Sequence, residues 1–532
     1  MLTRLGRHTA YRAFSFFSTG AFAAPTRSSH VSQWRTPIDG LFRLLLAASL
    51  LATSAGVAAA QAPPPGPPPA PQAPTASAPT DGWSFSLRDV ARVETWDFFT
   101  PRPGGGDPTS THLGNRLTLG AAWRQGKWTA QGQLQYVQFV GLPSNAIGPG
   151  PLGTGALYYD HSGDRNARQV YLRTLTLAGR DVAPGLDVVV GRQAYASGGE
   201  HASGDAALER IKRLRLDARL IGDFDWAIYQ RAFDGARVDY RRRGWRLTGA
   251  AFQPTQGGFE DAAGVSIDDI RVLSAAVSPP LGAIAPRTDV QLFLHHYRDT
   301  REVTQRPDNT GRSATAVDVS IPTWGVSAVG RYPVGAVAVD TVGWLAVQRG
   351  QWYEQRHRAW NLATEAGVQW TTAPWQPWLR VAWMHGSGDD QAGDDRHGTF
   401  FPVLPTVRKY ALSTLHSTAN IDDLFVQAIV RPTPRLMVRG EAHRLRLASA
   451  ADRWYAGAGA TQQRGRLFGL VARPSGGETG LGRVVEGMAD YTINRHLSVN
   501  GYVGHMRGGP VVQSLFEGRR LTYAYFETVV SY

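Results

Sequence analysis

The segment 521–532 alternates strictly enough to restrict what the rest of the chain can be. Thr522, Ala524, Phe526, Thr528, Val530 and Tyr532 fall on one face of an extended strand, while Tyr525, Glu527 and Ser531 fall on the other. A dyad pattern of about ten residues that finishes on an aromatic residue is the signature of a strand closing a membrane β-barrel. Near the other end, Arg35 and Arg43 precede the apolar run 44–52, and small residues at 57–60 precede Gln61. This pattern reads as an export signal behind an unusually long leader. The apolar run is too short to cross a bilayer as a helix, which takes about 20 residues. The expected organisation is therefore a leader with signal peptide over 1–60, a Pro/Ala-rich periplasmic linker over 61–80, and one domain over 81–532.

Composition agrees with export, since the chain has no cysteine and hence neither a disulfide framework nor thiol chemistry. The net charge is +13. Six arginines and one aspartate lie before Gln61, so the rest of the chain carries +8. Only Lys127, Lys212 and Lys409 are lysines, and the arginines are dispersed along the chain instead of gathered on a tail or helix. That distribution argues against a nucleic-acid partner and for an acidic polymer or anionic solute.

Strand-like runs are expected at 83–99, 114–123, 128–140, 168–178, 186–195, 226–240, 245–252, 268–278, 288–298, 316–330, 336–349, 359–372, 378–386, 421–431, 435–447, 483–493, 497–506 and 520–532. Brief turns and long polar loops separate them alternately, as in a transmembrane antiparallel β-barrel with short periplasmic turns and long extracellular loops. A further run at 466–473 would make the count odd and is assigned to an outer loop, leaving an all-β fold of eighteen strands. Membrane lipid is the expected neighbour of the outward face, and aromatic residues flanking the runs read as interfacial girdles.

Parity separates the two faces. With Leu117, Leu119, Ala121 and Trp123 toward lipid, Arg116 and Thr118 point inward, and Gln131, Gln133 and Gln135 do so on the next run. Likewise Arg231, Arg237 and Asp239 oppose Ala236, Val238 and Tyr240, and Arg439, Glu441 and His443 oppose Val438, Gly440 and Ala442. An arginine at mid-depth on the lipid face costs about 2–4 kcal/mol, which enforces this choice. Residues in or beside the predicted periplasmic turns are mostly basic: Arg124, Lys127, Arg180, Arg241, Arg242, Arg243, Arg287, Arg331 and Arg495, against the single acid Asp181. Such a rim would concentrate polyanions through its field.

Several short motifs follow one another along the chain: 88–99 with Arg88, Arg92, Glu94 and Trp96, then Gly191-Arg192-Gln193, 219–222 with Trp226, and Phe233-Asp234-Gly235 before Arg237. Further on come 386–389 leading to Thr399-Phe400, then 420–424, Arg431-Pro432-Thr433, and 441–446 with Glu441 and His443. Their order resembles the alginate-export family of outer-membrane porins. The resemblance implies a monomeric eighteen-stranded barrel that passes an anionic polysaccharide outward through an arginine-rich constriction, with periplasmic export components as partners. It also places Arg88, Arg92, Glu94, Arg192, Arg231, Arg237, Arg380, Arg439 and His443 at family positions. For Arg192, parity is at odds with this, because Leu186, Val188 and Val190 share its face, so a bulge or the membrane boundary would have to intervene. The interior arginines could equally brace the wall against Glu94, Asp239 and Glu441.

Other chemistries find less support. No nucleophile elbow is present, since Gly465-Arg-Leu-Phe and similar stretches lack the serine spacing. His295-His296 and the acidic loop with Asp389, Asp390, Asp394 and Asp395 lack convincing metal-ligand spacing, with calcium in 386–399 as the alternative reading of that loop. The sequence reading is thus a porin for an anionic polysaccharide or other anionic solutes, or a general uptake porin for small anions. It calls for no enzyme, no cofactor and no metal.

Overall fold

A computed structural model describes residues 81–532 except 150–154, 258–261, 283, 407 and 409–411. The expected leader and linker lie outside the described residues. Eighteen long strands run as β1 (Gly82–Asp97), β2 (Thr109–Gln125), β3 (Trp128–Val140), β4 (Arg168–Ala183), β5 (Leu186–Gln193), β6 (Phe233–Arg242), β7 (Trp245–Pro254), β8 (Ile270–Ser278) and β9 (Thr288–Asp299). They continue as β10 (Val319–Val334), β11 (Val337–Trp352), β12 (Gln355–Trp370), β13 (Trp378–Gly386), β14 (Ile421–Thr433), β15 (Leu436–Arg446), β16 (Gly480–Thr492), β17 (Leu497–Gly508) and β18 (Arg520–Ser531). Each pairs antiparallel with the next, and β18 returns to β1 from Arg88↔Ser531 to Asp97↔Thr522, which closes the barrel. Among the described residues three short helices, α1 (Gly155–Ser162), α2 (Ala206–Arg215) and α3 (Pro510–Leu515), lie in loops.

Local chemistry explains the two unlike ends. Between β6 and β7 the two-residue turn Arg243-Gly244 has φ of 50° and 83°, the doubly positive geometry whose twist matches a hairpin. The opposite end carries the long connections 141–167, 194–232, 387–420 and 447–479. Leu470–Pro474 pairs only with Arg453–Gly457, in a two-stranded sheet separate from the barrel wall, as expected for a loop ribbon.

Two expectations need correction. The strand anticipated over 226–240 begins only at Phe233, so Arg231 is a loop residue. The apolar sequence Trp226-Ala-Ile-Tyr229 imitates a strand but is buried loop. Between β11 and β12 the connection is only Tyr353-Glu354, because the strands go on pairing from Arg349↔Arg358 to Trp352↔Gln355. The outward residues there are Arg349, Gln351, Arg356 and Arg358, so the extension lies beyond the apolar band and carries no hydrophobic alternation.

The outward face is apolar. Leu119, Leu134, Leu175, Val190, Leu273, Val381, Val426 and Val485 are 46–63% exposed, a continuous belt that would drive aggregation in water and that a bilayer requires. Trp83, Phe85, Trp128, Trp245, Tyr332, Trp370 and Tyr532 ring the turn end.

The seam between β1 and β18 is fastened from inside. Arg92 donates from Nε (2.8 Å) and Nη2 (2.6 Å) to Glu527 Oε2, and from Nη1 to Glu94 (3.3 Å). Its guanidinium lies 4.4 Å above the Trp226 ring. Removing one partner of a buried ion pair leaves an uncompensated charge at a cost of about 3–5 kcal/mol, whereas replacing both by apolar groups is often neutral. Glu527→Ala should therefore lower the temperature at which the folded barrel loses its fast gel mobility, and the triple variant Arg92→Met/Glu94→Leu/Glu527→Leu, which leaves no member of the buried cluster charged, should recover much of the loss. An unchanged unfolding temperature in the single variant would contradict the assignment.

Candidate functional site: the barrel interior

An eighteen-stranded barrel is too wide for its wall side chains to fill. Three loops from the far end fold into it: 194–232, 387–420 and 447–479. Leu208, Ile211 and Phe224 of the first, Phe400, Leu404 and Leu415 of the second, and Trp454 and Phe468 of the third are buried in one cluster with wall residues such as Trp344 and Tyr502. The first two loops are joined by backbone bonds, Gly222 N to Leu404 O (2.9 Å), Leu404 N to Leu220 O (2.8 Å) and Thr406 N to Ala218 O (3.0 Å).

The loops are held to the wall by ions. Glu365 of β12 accepts from Arg215 Nε (2.7 Å) and Arg219 Nη2 (2.9 Å) of the first loop and lies 3.1 Å from Arg380 of β13. Lys212 Nζ donates to Asp289 of β9 (2.6 Å), and Arg173 reaches Asp223 (2.8 Å). Arg173 can do so because a bulge opposite Gln133/Leu134 turns both it and Thr174 inward. Helix α2 starts cleanly because Asp205 caps the amides of Ala207 (2.7 Å) and Leu208 (3.1 Å).

The residues singled out from sequence fall into distinct environments. Arg88 is half-buried beside Ser531 Oγ (3.5 Å), and Arg92 with Glu94 forms the seam. Arg116 is buried and donates to the carbonyls of Asp225 (3.4 Å) and Ala227, holding the first loop without a carboxylate. Arg237 is paired to Asp239 (2.9 Å), and Arg380 lies between Asp340 (3.0 Å) and Glu365. Arg439 stands 3.3 Å from Glu441. His443 is enclosed by Asp423 (3.0 Å), Glu441 (3.2 Å) and Glu486 (3.5 Å), and Glu486 also accepts the Leu412 and Ser413 amides of the second loop.

Two of them depart from the expected placement. Arg192 stands opposite Leu175, which is 56% exposed on the lipid face, so it points outward with Val188 and Val190. No bulge reverses its parity, and a bidentate pair to Asp234 (2.7 and 2.8 Å) near the loop end satisfies it. Arg231, in the first loop, is fully buried and donates to Leu404 O (3.2 Å), Ala458 O (3.4 Å) and Ala460 O (2.7 Å), knitting all three loops. Burial without a carboxylate lowers its pKa to about 9.

One cationic group has no such compensation. At the turn end a cavity of about 260 Å³ is lined by Arg210 and Ile211 of α2, Arg331 of β10, and Gln369, Gln376 and Trp378. Burial, then the charges of Arg431, Arg331 and Arg213, lower the pKa of Arg210 to about 10. Among the described residues no carboxylate lies within ion-pair distance of any of these four arginines. Of the four, sequence reasoning found only Arg331, as part of the basic rim. Arg210 and Arg213 sit in a long loop without periodicity, and Arg431 shared a motif but no parity argument.

Glu441, His443 and Glu486 have ligand atoms within 4.8 Å of one another, but each is already engaged by wall and loop partners. His295 bonds Ser274 inside and His296 bonds Ser320 on the other face, so the two cannot share an ion. The acidic loop disperses its carboxylates, with Asp389 and Asp394 capping turn amides and Asp395 paired to exposed Arg356.

A family model described as Alginate export matches residues 164–518, more than half of the chain. No curated protein matches it. Similar solved structures include Pseudomonas aeruginosa OccK9 (OpdG), 14% identical with a TM-score of 0.53 over 84% of this chain and 98% of that one. Another is Acinetobacter baumannii OccAB1, at 10% and 0.51 over 85% and 96%. Pseudomonas aeruginosa OpdK with vanillate gives 11% and 0.50 over 84% and 98%. At these identities the likeness establishes the closed eighteen-stranded fold.

If Glu365 seats the first loop, Glu365→Ala should free α2 while leaving the wall intact. Limited trypsinolysis of the detergent-solubilised barrel should then cut at Arg210 or Arg213 at least tenfold faster than in the wild type. Equal rates would show that apolar packing alone holds the helix.

Proposed function

The chain belongs to the alginate export family of bacterial outer-membrane β-barrels, and from that premise we propose that it is a passive porin for anionic carbohydrate, with an arginine-lined interior. The observation that carries this reading is the uncompensated group of Arg210, Arg213, Arg331 and Arg431 at the turn end, which in such a barrel faces the periplasm. Most other interior arginines are spent on carboxylates or carbonyls of the protein itself. Arg88 and Arg408 also lack a carboxylate but bond the hydroxyls of Ser531 and Tyr525, whereas these four are grouped at one mouth, where a solute enters.

The mechanism needs no covalent step. A uronate carboxylate entering the cavity replaces its hydration with guanidinium donors, whose fork matches a carboxylate in pairs. Its charge relieves the repulsion among the four arginines, so entry is favoured. Release follows because each contact is shared and wet, and transit requires sites that are individually weak. Lys127, Arg243 and Arg495 on the surrounding turns extend the attractive field, while Arg241 is paired to Asp187.

The size of the solute is open to a second reading with its own support. Three loops packed inside the barrel favour small anionic solutes over a polymer that would have to displace them. OpdK, of the same fold, was solved with vanillate, a small carboxylate. Conductance block by uronate oligomers of increasing length would distinguish the two.

In planar bilayers under a salt gradient, the wild type should be anion-selective. Charges in a wet vestibule are screened, so each arginine contributes on the order of 1 kcal/mol. Neutralising Arg210 alone should shift the permeability ratio severalfold, and the variant with Arg210, Arg213, Arg331 and Arg431 all changed to Gln should nearly abolish the preference. A cation-selective wild type, or unchanged selectivity in the fourfold variant, would overturn the proposal.

A further inference from the structure

On the outside of the barrel, at the loop end, four arginines stand in one row across four neighbouring strands. Arg444 of β15 is directly opposite Arg483 of β16, Arg483 is opposite Arg507 of β17, and Arg507 is opposite Arg520 of β18. All four are exposed, and among the described residues none makes an ion pair. Like charges set directly opposite on adjacent strands repel, so three consecutive such pairings destabilise the bare sheet. Elsewhere on this face some arginines are paired, as Arg192 is to Asp234 and Arg356 to Asp395, and others form isolated like-charge pairs, Arg271 opposite Arg298 and Arg349 opposite Arg358. Among the described residues, three such pairings follow one another only in this row.

The row has a defined depth. On the same face, toward the turn end, lie Ala442, Val485, Val503 and Phe526, with Val485 63% and Phe526 44% exposed. On β16 the outward face then runs to Tyr491, eight residues from Arg483, or about 26 Å of strand. Tilted by about 35–45°, a strand of that length rises about 18–21 Å, most of an apolar band about 25 Å tall, so Tyr491 lies toward one interface and the arginines toward the other. With the turn end in the periplasm, the row lies at the headgroup level of the outer leaflet. Laterally, four strands about 4.8 Å apart spread the guanidinium stems over about 14 Å, a span suited to a disaccharide headgroup with a phosphate at each end.

We propose that this row is a binding site for the phosphorylated disaccharide glycolipid of the outer leaflet, seated with its phosphates on the guanidinium groups and its acyl chains on Val485, Val503 and Phe526. Arginine forks bind phosphate in pairs, and a phosphate between neighbouring strands cancels the repulsion the bare row carries. Because the row ends on β18, next to the closing seam, bound glycolipid clasps the strands that complete the barrel. The site is separate from the lumen and does not depend on what the lumen carries.

The test is native mass spectrometry of the full barrel in detergent, titrated with diphosphoryl lipid A, with its dephosphorylated form and with phosphatidylglycerol. The wild type should retain the diphosphoryl form at least tenfold more strongly than the dephosphorylated one. The variant with Arg444, Arg483, Arg507 and Arg520 all changed to Gln should lose on the order of tenfold or more in affinity, since each basic side chain near an anionic surface contributes appreciably. Its single-channel conductance should not change, because these side chains point away from the lumen. Equal wild-type affinity for the two forms of the glycolipid would overturn the proposal, and needs no variant to fold. So would full retention by the fourfold variant, or a wild-type dimer that the variant dissolves while glycolipid binding is unchanged, which would make the row a contact between copies.

Discussion

The buried carboxylate of Glu365, shared by Arg215, Arg219 and Arg380, is the interaction on which the interior depends. A lone charge there would be untenable, and one carboxylate facing three guanidinium groups is stable only because Asp340 balances Arg380 from the other side. The arrangement decides where α2 lies. It commits Arg215 and Arg219 to the wall, and the turn of helix before them carries Arg210 and Arg213 toward the turn end. The chain beyond Arg219 is then in place to pair with 404–406, and Arg231 ties in the third loop through its carbonyls. Seating one helix thus fills the barrel.

This arrangement divides the interior arginines into two populations. Arg92, Arg173, Arg237, Arg380 and Arg439 face carboxylates within 4 Å. Their fields are largely cancelled at the range a solute would feel, and truncating them would damage the fold before it altered transport. Arg210, Arg213, Arg331 and Arg431 lack such partners, and repulsion among them is the electrostatic property of the interior that a mobile anion would relieve. A basic net charge by itself therefore says little about a pore, since what matters is which guanidinium groups the fold leaves unpaired.

The wall was legible in the sequence because each barrel strand must satisfy lipid on one side, and that requirement repeats every two residues. All eighteen strands exist, with bounds shifted most where the strand expected over 226–240 begins only at Phe233 and where two strands pair on through 349–358, and Arg116, Arg237, Arg439, Glu441 and His443 face inward as parity requires. Legibility ended where that constraint ends. Arg231 resembles a strand residue in sequence because the buried loop 226–229 is apolar without being lipid-facing. Arg192 could not be turned inward by family position, since its neighbours Val188 and Val190 fix its parity and Asp234 removes the cost of its charge. Arg210 and Arg213 carried no signal at all, because the position of α2 follows from ion pairs to Glu365 and Asp289, more than seventy residues away in sequence. The outward row from Arg444 to Arg520 is also invisible in the chain. It exists only through the register of four strands.

The central claim is that the unpaired arginines form an entrance at the turn end. Single channels inserted in one known orientation and exposed to a uronate hexamer from either side test it directly. The account predicts that blocking events begin several times more often when the oligomer is on the turn side, and that this asymmetry fades as salt is raised. Equal entry from both sides, or preferential entry from the loop side, would contradict it.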